Sequence, residues 1–289
     1  MKPLTPAYLT SIHCRTKVLP PQVIGAFRAM VYTYHRAHPR PMPWRETDDP
    51  YRILVSEIML QQTQVERVRL KYAEFIRAFP TVQTLADALL SDVLHVWQGL
   101  GYNRRALYLK RCSEMIATQY AGCFPHTPVE LQTLPGIGPY TARAVAAFAY
   151  GIAEPLIETN IRTIFIHFFF HGCEKVSDSR IMPLVAATLD RDNPREWYYG
   201  LMDYGAMLKQ AHTNPGRRSS HHTQQSPFEG SNRQMRSRLL REIMVQPGIT
   251  REELIRIVAA GHEAVERNLD ALQQEGFLFK QGDCFRIAG

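Results

Sequence analysis

The chain has 289 residues, 45% apolar and 21% charged, the balance of an ordinary globular protein able to form two or three compact units. No uncharged apolar run reaches the ~20 residues of a membrane span, and MKPLTPAYLTSIHCRTK at the start lacks the apolar stretch of a secretory signal. A cytoplasmic protein with no membrane partner is expected. The formal charge of +7 is unevenly placed: residues 209–241 carry seven Lys and Arg against Glu229 alone. Such a stretch is either a solvated basic face or the footprint of a polyanion.

In chain order, VIGAFRAMVYTYHRAH (23–38) has helical apolar spacing, and PRPMPWRETDDPY (39–51) is a proline-rich loop. Helices are expected over 52–66, 66–78, 81–88, 91–97, 104–120 and 128–133, then over 139–150, 160–170, 178–189 and 194–209. IFIHFFFH within 160–171 reads as a buried helix. HTNPGRRSSHHTQQSPFEGSN (212–232) is the clearest linker. Beyond it three further helices are expected, the second with Thr250 as N-cap and Glu253 at the capping-box position. FLFKQGDCFRI closes the chain as a hairpin turning at Gln281-Gly282-Asp283. Three helices and a hairpin describe a winged helix, a module that docks on DNA or on protein.

Three stretches carry candidate chemistry. In LPGIGPYTA (134–142), Gly136 and Gly138 allow backbone that other residues avoid, and Pro139 suits the first turn of a helix. The turn is either a plain connector or a backbone clamp for an anion such as a phosphate diester. Glu57 lies between Ile53-Leu54-Val55 and Ile58-Met59-Leu60. If buried, its carboxyl is raised in pKa and suits general-acid work; otherwise it is a helix-edge Glu. The amides of Gln61, Gln62 and Gln64 suit base-edge bonding or wedging into a stack. Glu158, in EPLIETNIRTIF (154–165), stands either in an N-cap region closed by Thr159 or Asn160, or as the second carboxylate of an acid pair. Cys14, Cys112, Cys123, Cys173 and Cys284 are scattered, with no C-x-x-C pair. Buried or free thiols are expected, without a structural zinc or iron–sulfur cluster.

Together PWRETDDPY, SEIMLQQTQV, FPTVQTLADA, WQGLGYNRRA, LPGIGPYTA, ETNIRTI and MDYGAM, in this order between residues 42 and 207, resemble the helix-hairpin-helix DNA glycosylases. Within these they resemble the MutY-type adenine glycosylases. The resemblance implies an all-α, two-lobed glycosylase domain (1–211), followed here by a basic linker (212–232) and a winged-helix domain (233–289). It implies that Glu57 protonates the adenine ring at N7. Glu158, where the family normally has aspartate, stabilises the sugar cation; Tyr140 and Asn160 position that carboxylate. Gln62 and Tyr102 match wedge residues that enter the duplex as the target base flips out, and Gly136 and Gly138 match the phosphate-binding hairpin. Arg45, Gln61 and Leu100 fall in the same motifs and are expected at DNA. So are Arg217 and Arg218 of the linker, with His221 and His222.

Strand-cleaving relatives usually carry a lysine where Tyr140 stands, so a monofunctional glycosylase is implied. The family's four cluster cysteines after MDxGAM are missing, with Lys209 at the first position, so no iron–sulfur cluster and no other cofactor is expected. The domain by which the family reads 8-oxoguanine opposite the adenine is not expected here, and a winged helix is expected in its place. The expected protein is a monomer acting on double-stranded DNA with a mispaired or damaged base, nucleoid-associated if bacterial or archaeal. The expected reaction removes adenine from a mispair with 8-oxoguanine or guanine. The alternatives are excision of a mismatched, oxidised or modified pyrimidine, or noncatalytic DNA binding.

Overall fold

The computed structural model describes residues 4–16, 18–224, 227–258 and 261–289; those parts of the expected elements that fall on 1–3, 17, 225–226 and 259–260 lie outside it. The helices run α1 (Pro6–Thr16), α2 (Pro21–Ala37), α3 (Pro50–Leu60), α4 (Val65–Ala78), α5 (Val82–Asp87), α6 (Leu90–Trp97), α7 (Arg104–Gln119) and α8 (Pro128–Leu131). They continue as α9 (Pro139–Tyr150), α10 (Thr159–Phe169), α11 (Asp178–Thr188) and α12 (Pro194–Ala211). The C-terminal elements are α13 (Asn232–Val245), β1 (Ile249–Thr250), α14 (Arg251–Val258), α15 (His262–Glu275), β2 (Leu278–Gln281) and β3 (Cys284–Ile287). The all-α expectation with a small C-terminal α/β module is met. α1 was not expected from periodicity. The helix expected over 52–66 ends at Leu60.

Two compact units emerge, and neither is continuous in sequence. One comprises 1–53, 126–133 and 137–224; the other comprises 54–125, 134–136 and 225–289. In the first, Phe27 of α2 is fully buried, with ring centroids 5.2 Å from Phe169, 5.8 Å from Phe165 and 6.1 Å from Trp197 of α12. Burying such a ring contributes about 1.5–3 kcal/mol, more than any exposed ion pair here. The buried reading of IFIHFFFH is correct: Phe165, Phe168 and Phe169 all face the interior.

One polar cluster interrupts this interior. Asp203 of α12 has a fully buried carboxylate that accepts Nη1 and Nη2 of Arg45 at 2.8 and 3.0 Å, Nη1 of Arg40 at 3.1 Å and Nδ1 of His35 at 2.9 Å. Burial alone would raise the Asp203 pKa, but the bonds from His35 and Arg45 and the charges of Arg45 and Arg40 outweigh it and hold the carboxyl low. The same Asp203 bond raises His35 above its ordinary 6.5. A raised histidine stabilises the fold fully below the unfolded value and loses that contribution as pH rises through the folded one. The gap in melting temperature between wild type and His35→Asn is therefore expected to be wide near pH 6 and to shrink toward pH 9. A gap independent of pH would remove His35 from the cluster's charge balance.

In the second unit, Phe75 of α4 packs edge-on to Trp97 of α6 at 5.8 Å and to Phe79 at 5.0 Å. The C-terminal elements form the expected winged helix. The sheet is antiparallel in the order β1-β3-β2, with Lys280 opposite Phe285, and turns through Gly282 at φ +61°. Thr250 and Glu253 make the expected capping box: the Glu253 carboxylate accepts the Thr250 N–H at 2.9 Å, and the Thr250 hydroxyl accepts the Glu253 N–H at 3.3 Å. Glu275 at the end of α15 pairs with Arg104 of α7 and Arg236 of α13, at 2.5 and 2.6 Å.

Candidate active site

α3 carries Glu57 among Leu54, Val55, Ile58 and Met59, each 3% exposed or less, and Glu57 itself is 7% exposed. Of the two placements open to Glu57, buried or at the helix edge, it takes the buried one. The helix starts on Asp49, whose Oδ1 accepts the Tyr51 N–H at 2.9 Å. It ends at Leu60 because its last carbonyls turn to a cation. Arg105, 9% exposed on α7, donates Nη1 to the carbonyls of Ile58, Met59 and Gln61 at 2.9, 2.8 and 2.6 Å. Its Nη2 reaches the Thr63 hydroxyl and the carbonyls of Leu100 and Gly101, each at 3.1 Å. One guanidinium therefore closes both the loop of Gln62 and the loop of Tyr102. These two residues adopt left-handed backbone, φ +55° and +49°, uncommon for non-glycine residues and costing of order 1–3 kcal/mol each. Burial lowers the Arg105 guanidinium to about 10, so it keeps its charge at neutral pH. Sequence reasoning did not single out Arg105; the only signal was its place in WQGLGYNRRA.

Glu158 caps α10 itself; Thr159 and Asn160, named as caps in one of the two alternatives, are not the capping residues. Oε1 accepts the backbone N–H groups of Asn160 at 2.6 Å and Ile161 at 2.8 Å, while Oε2 accepts the Thr159 hydroxyl at 2.9 Å and Asn160 Nδ2 at 3.4 Å. A negative charge at a helix N-terminus is favourable. Asn160 is fixed from the other side by Lys209 Nζ, which donates to its Oδ1 at 2.7 Å. Burial lowers the Lys209 ammonium, partly offset by the charge of Glu158. In the sequence Lys209 stands out for the cysteine it replaces, and nothing there signals this contact.

Gly205 sets the height of this group. A Cβ there would lie 2.1 Å from the Asn160 carbonyl oxygen and 2.9 Å from its Cα. Backbone cannot yield as a side-chain tip would. Gly205→Ala is expected to cost about 1–3 kcal/mol of stability by overpacking, read as a lower denaturant midpoint, and an unchanged midpoint would refute that close approach.

The turn before α9 is built as two glycines around a buried Ile137. Gly136 has φ +77°, and a Cβ on it would meet Tyr108 Cβ at 2.6 Å. Gly138 is the N-cap with no side-chain cap, and Pro139 opens the helix that carries half-buried Tyr140. Three of the residues expected at DNA have partners or packing within the chain: Leu100 is buried, and Arg45 and Arg218 are half-buried. Arg45 is paired with Asp203 and lies 4.5 Å over the Tyr199 ring. Leu100 is 3% exposed. Arg218 donates to the carbonyls of Phe170 and Cys173 at 2.8 and 3.2 Å, which finishes the C-terminus of α10. Arg217 is exposed. Much of the basic stretch is similarly committed: Arg236 to Glu275, Arg238 to the carbonyls of Val258 and Ile257.

Among the described residues no group of three or more His, Cys, Asp or Glu can hold a metal, and His221 with His222 makes no such site. Residues 206–232 offer Lys209, His212, His221 and His222 and no cysteine, which does not fit a cysteine-bound cluster.

Two helices joined through Gly136-Ile137-Gly138, within an otherwise helical body, define a helix-hairpin-helix protein. Residues 55–190 match the family model of the HhH-GPD superfamily base excision DNA repair proteins. The adenine DNA glycosylase of Mycolicibacterium smegmatis is 33% identical over 271 residues, 86% of this chain and 92% of that protein. That of Mycobacterium tuberculosis is 39% identical over 185 residues, 62% of this chain and 60% of that protein. A solved thermostable thymine-DNA glycosylase superposes with a TM-score of 0.59 at 25% identity, over 64% of this chain and 86% of that one. The chain belongs to the HhH-GPD superfamily, in its adenine DNA glycosylase family.

Proposed function

We propose that this DNA N-glycosylase removes adenine from a mispair with guanine or 8-oxoguanine and leaves the strand intact. The Glu57 carboxyl gives its proton to N7 of the flipped adenine. The C1′–N9 bond breaks with its electron pair going to N9, and the base departs neutral. The Glu158 carboxylate stabilises the sugar cation left behind until water adds at C1′ and passes its proton to the ionised Glu57 or to solvent. Two carboxyls in unlike surroundings suit such a split of duties. The observation that carries this reading is that contrast: Glu57 is 7% exposed in an apolar helix, while Glu158 is held on backbone amides at a helix start. Tyr140 supplies no amine for a Schiff base, and Lys209 is engaged by Asn160. Gly136 and Gly138 present backbone to a DNA phosphate, and Gln62 and Tyr102 enter the stack. We further propose that the enzyme works as a cytoplasmic monomer without an iron–sulfur cluster.

A second reading, excision of a mismatched pyrimidine, is favoured by Glu158 standing in place of aspartate and by the similarity to a thymine-DNA glycosylase. The deciding experiment incubates the protein with duplexes that each carry one defined mispair, followed by alkali. Alkali-dependent breaks at adenine opposite guanine or 8-oxoguanine support the first reading, and breaks at a pyrimidine alone support the second. Breaks without alkali, with borohydride trapping of a covalent complex, would overturn the monofunctional assignment. Iron in the purified protein would overturn the cluster-free one.

A further inference from the structure

The unit that carries the Gln62 and Tyr102 loops also contains a cavity of about 990 Å³. That is the upper end of the ~300–1,000 Å³ of ligand pockets, room for a nucleotide with its flanking phosphates. Its lining includes five arginines and no acidic residue. One part of the lining comes from the end of the linker and the first helix of the winged-helix module: Phe228, then Arg233 and Arg236 on α13. Arg233 Nη1 donates to the Tyr102 hydroxyl at 2.5 Å, with its guanidinium 5.1 Å over the Tyr102 ring. The lining also includes Tyr108 of α7 and exposed Arg67 of α4. Phe228 is 53% exposed although it is large and apolar, and Tyr108 is 37% exposed. Arg104 and Arg236 pair with Glu275, which is not part of the lining. Aromatic faces interleaved with arginine are the chemistry that holds an unpaired nucleotide: rings stack on the base and guanidiniums meet the phosphates. A protein partner of ordinary composition gives no reason for this charge.

When a base is flipped out, its former partner loses its pairing and part of its stacking. We propose that this pocket receives that estranged nucleotide of the opposite strand, with its base against Phe228, Tyr102 and Tyr108 and its phosphates against Arg67 and Arg233. The winged helix thereby forms the opposite-strand wall of the enzyme, and Arg233 couples that wall to Tyr102. This assignment rests on the glycosylase reading above, but its test does not need catalysis.

The test measures binding of the full-length protein, by fluorescence anisotropy, to a duplex with a tetrahydrofuran abasic analogue opposite guanine and to the same duplex fully paired. Phe228→Ala is expected to weaken binding of the abasic duplex about tenfold and to leave the paired duplex nearly unchanged. Phe228→Trp keeps an aromatic face and is expected to bind as the parent does. Arg67→Ala, at an exposed position, is expected to reduce the slope of log K against log salt by about one. Wild-type affinity and slope in both alanine variants would overturn the pocket, as would an equal loss on both duplexes for Phe228→Ala. If the wild type excises adenine while the variants bind normally, the pocket fails and the glycosylase reading stands. If the variants lose the abasic duplex but the wild type excises no adenine, the pocket stands and the adenine reading fails.

Discussion

Glu57→Gln is expected to fold as the parent does and to lose adenine excision by about a thousandfold, the middle of the range for a positioned general acid. The amide is nearly isosteric with the carboxyl, so the apolar packing of Leu54, Val55, Ile58 and Met59 is kept. What is lost is the transferable proton. Without protonation at N7, adenine must leave as an anion, and the sugar cation forms without assistance from the leaving group. Single-turnover excision on an adenine–8-oxoguanine duplex, followed by alkali, measures this, with far-ultraviolet dichroism checking the fold. Glu57→Asp is the companion: it keeps the proton but shortens the reach by one methylene, and an intermediate loss is expected because small misplacements are costly in catalysis. An unaltered rate in Glu57→Gln would take the acid role away from this residue.

The periodic helices were legible because their buried faces recur at helical spacing, and α9, begun by Gly138 and Pro139 and ended by Gly151 at φ +66°, was legible to the residue. The candidate site was less so, for a physical reason: its loops are organised by tertiary hydrogen bonds. Gln61-Gln62-Thr63-Gln64 has nothing in it that stops a helix. α3 stops because Arg105, more than forty residues later in the chain, takes the carbonyls that the next turn needs. Glu158 stands in sequence beside two better capping residues, Thr159 and Asn160, yet its length lets it fold back on its own helix and cap it. Arg45 and Arg218 look like surface cations in a basic protein. Their partners, Asp203 and the end of α10, were present in MDYGAM and IFIHFFFH, but charge patterning along the chain does not say which charges meet. Gly205 was visible only as part of a motif; the need for a bare Cα appears once α12 is seen against Asn160.

Arg105→Met is expected to be the most destabilising change of those considered. Methionine matches much of the volume and leaves the stacking region beside Trp97 apolar, where the guanidinium lies 5.4 Å from the ring. It provides no donor. The carbonyls of Ile58, Met59, Gln61, Leu100 and Gly101 then lose their common partner, in a region where water has little access. A buried network broken on one side costs about 3–5 kcal/mol, and for a chain of this size each kcal/mol lowers the melting temperature by about 2–4 °C. A fall of roughly 10 °C is therefore expected. Lysine does not rescue it well: three ammonium donors cannot reproduce six bonds arranged around a planar fork. The loss is also local. Gln62 and Tyr102 hold left-handed backbone only because their loops are tied to the same group, so hydrogen exchange is expected to rise in residues 61–64 and 99–103 before the rest of α7. Binding to an abasic duplex is expected to weaken together with that ordering, because the wedge residues then have to be fixed at the expense of binding energy. A variant that melts within a degree or so of the parent, with unchanged exchange in both loops, would show that Arg105 fills space there and does not hold the two loops together.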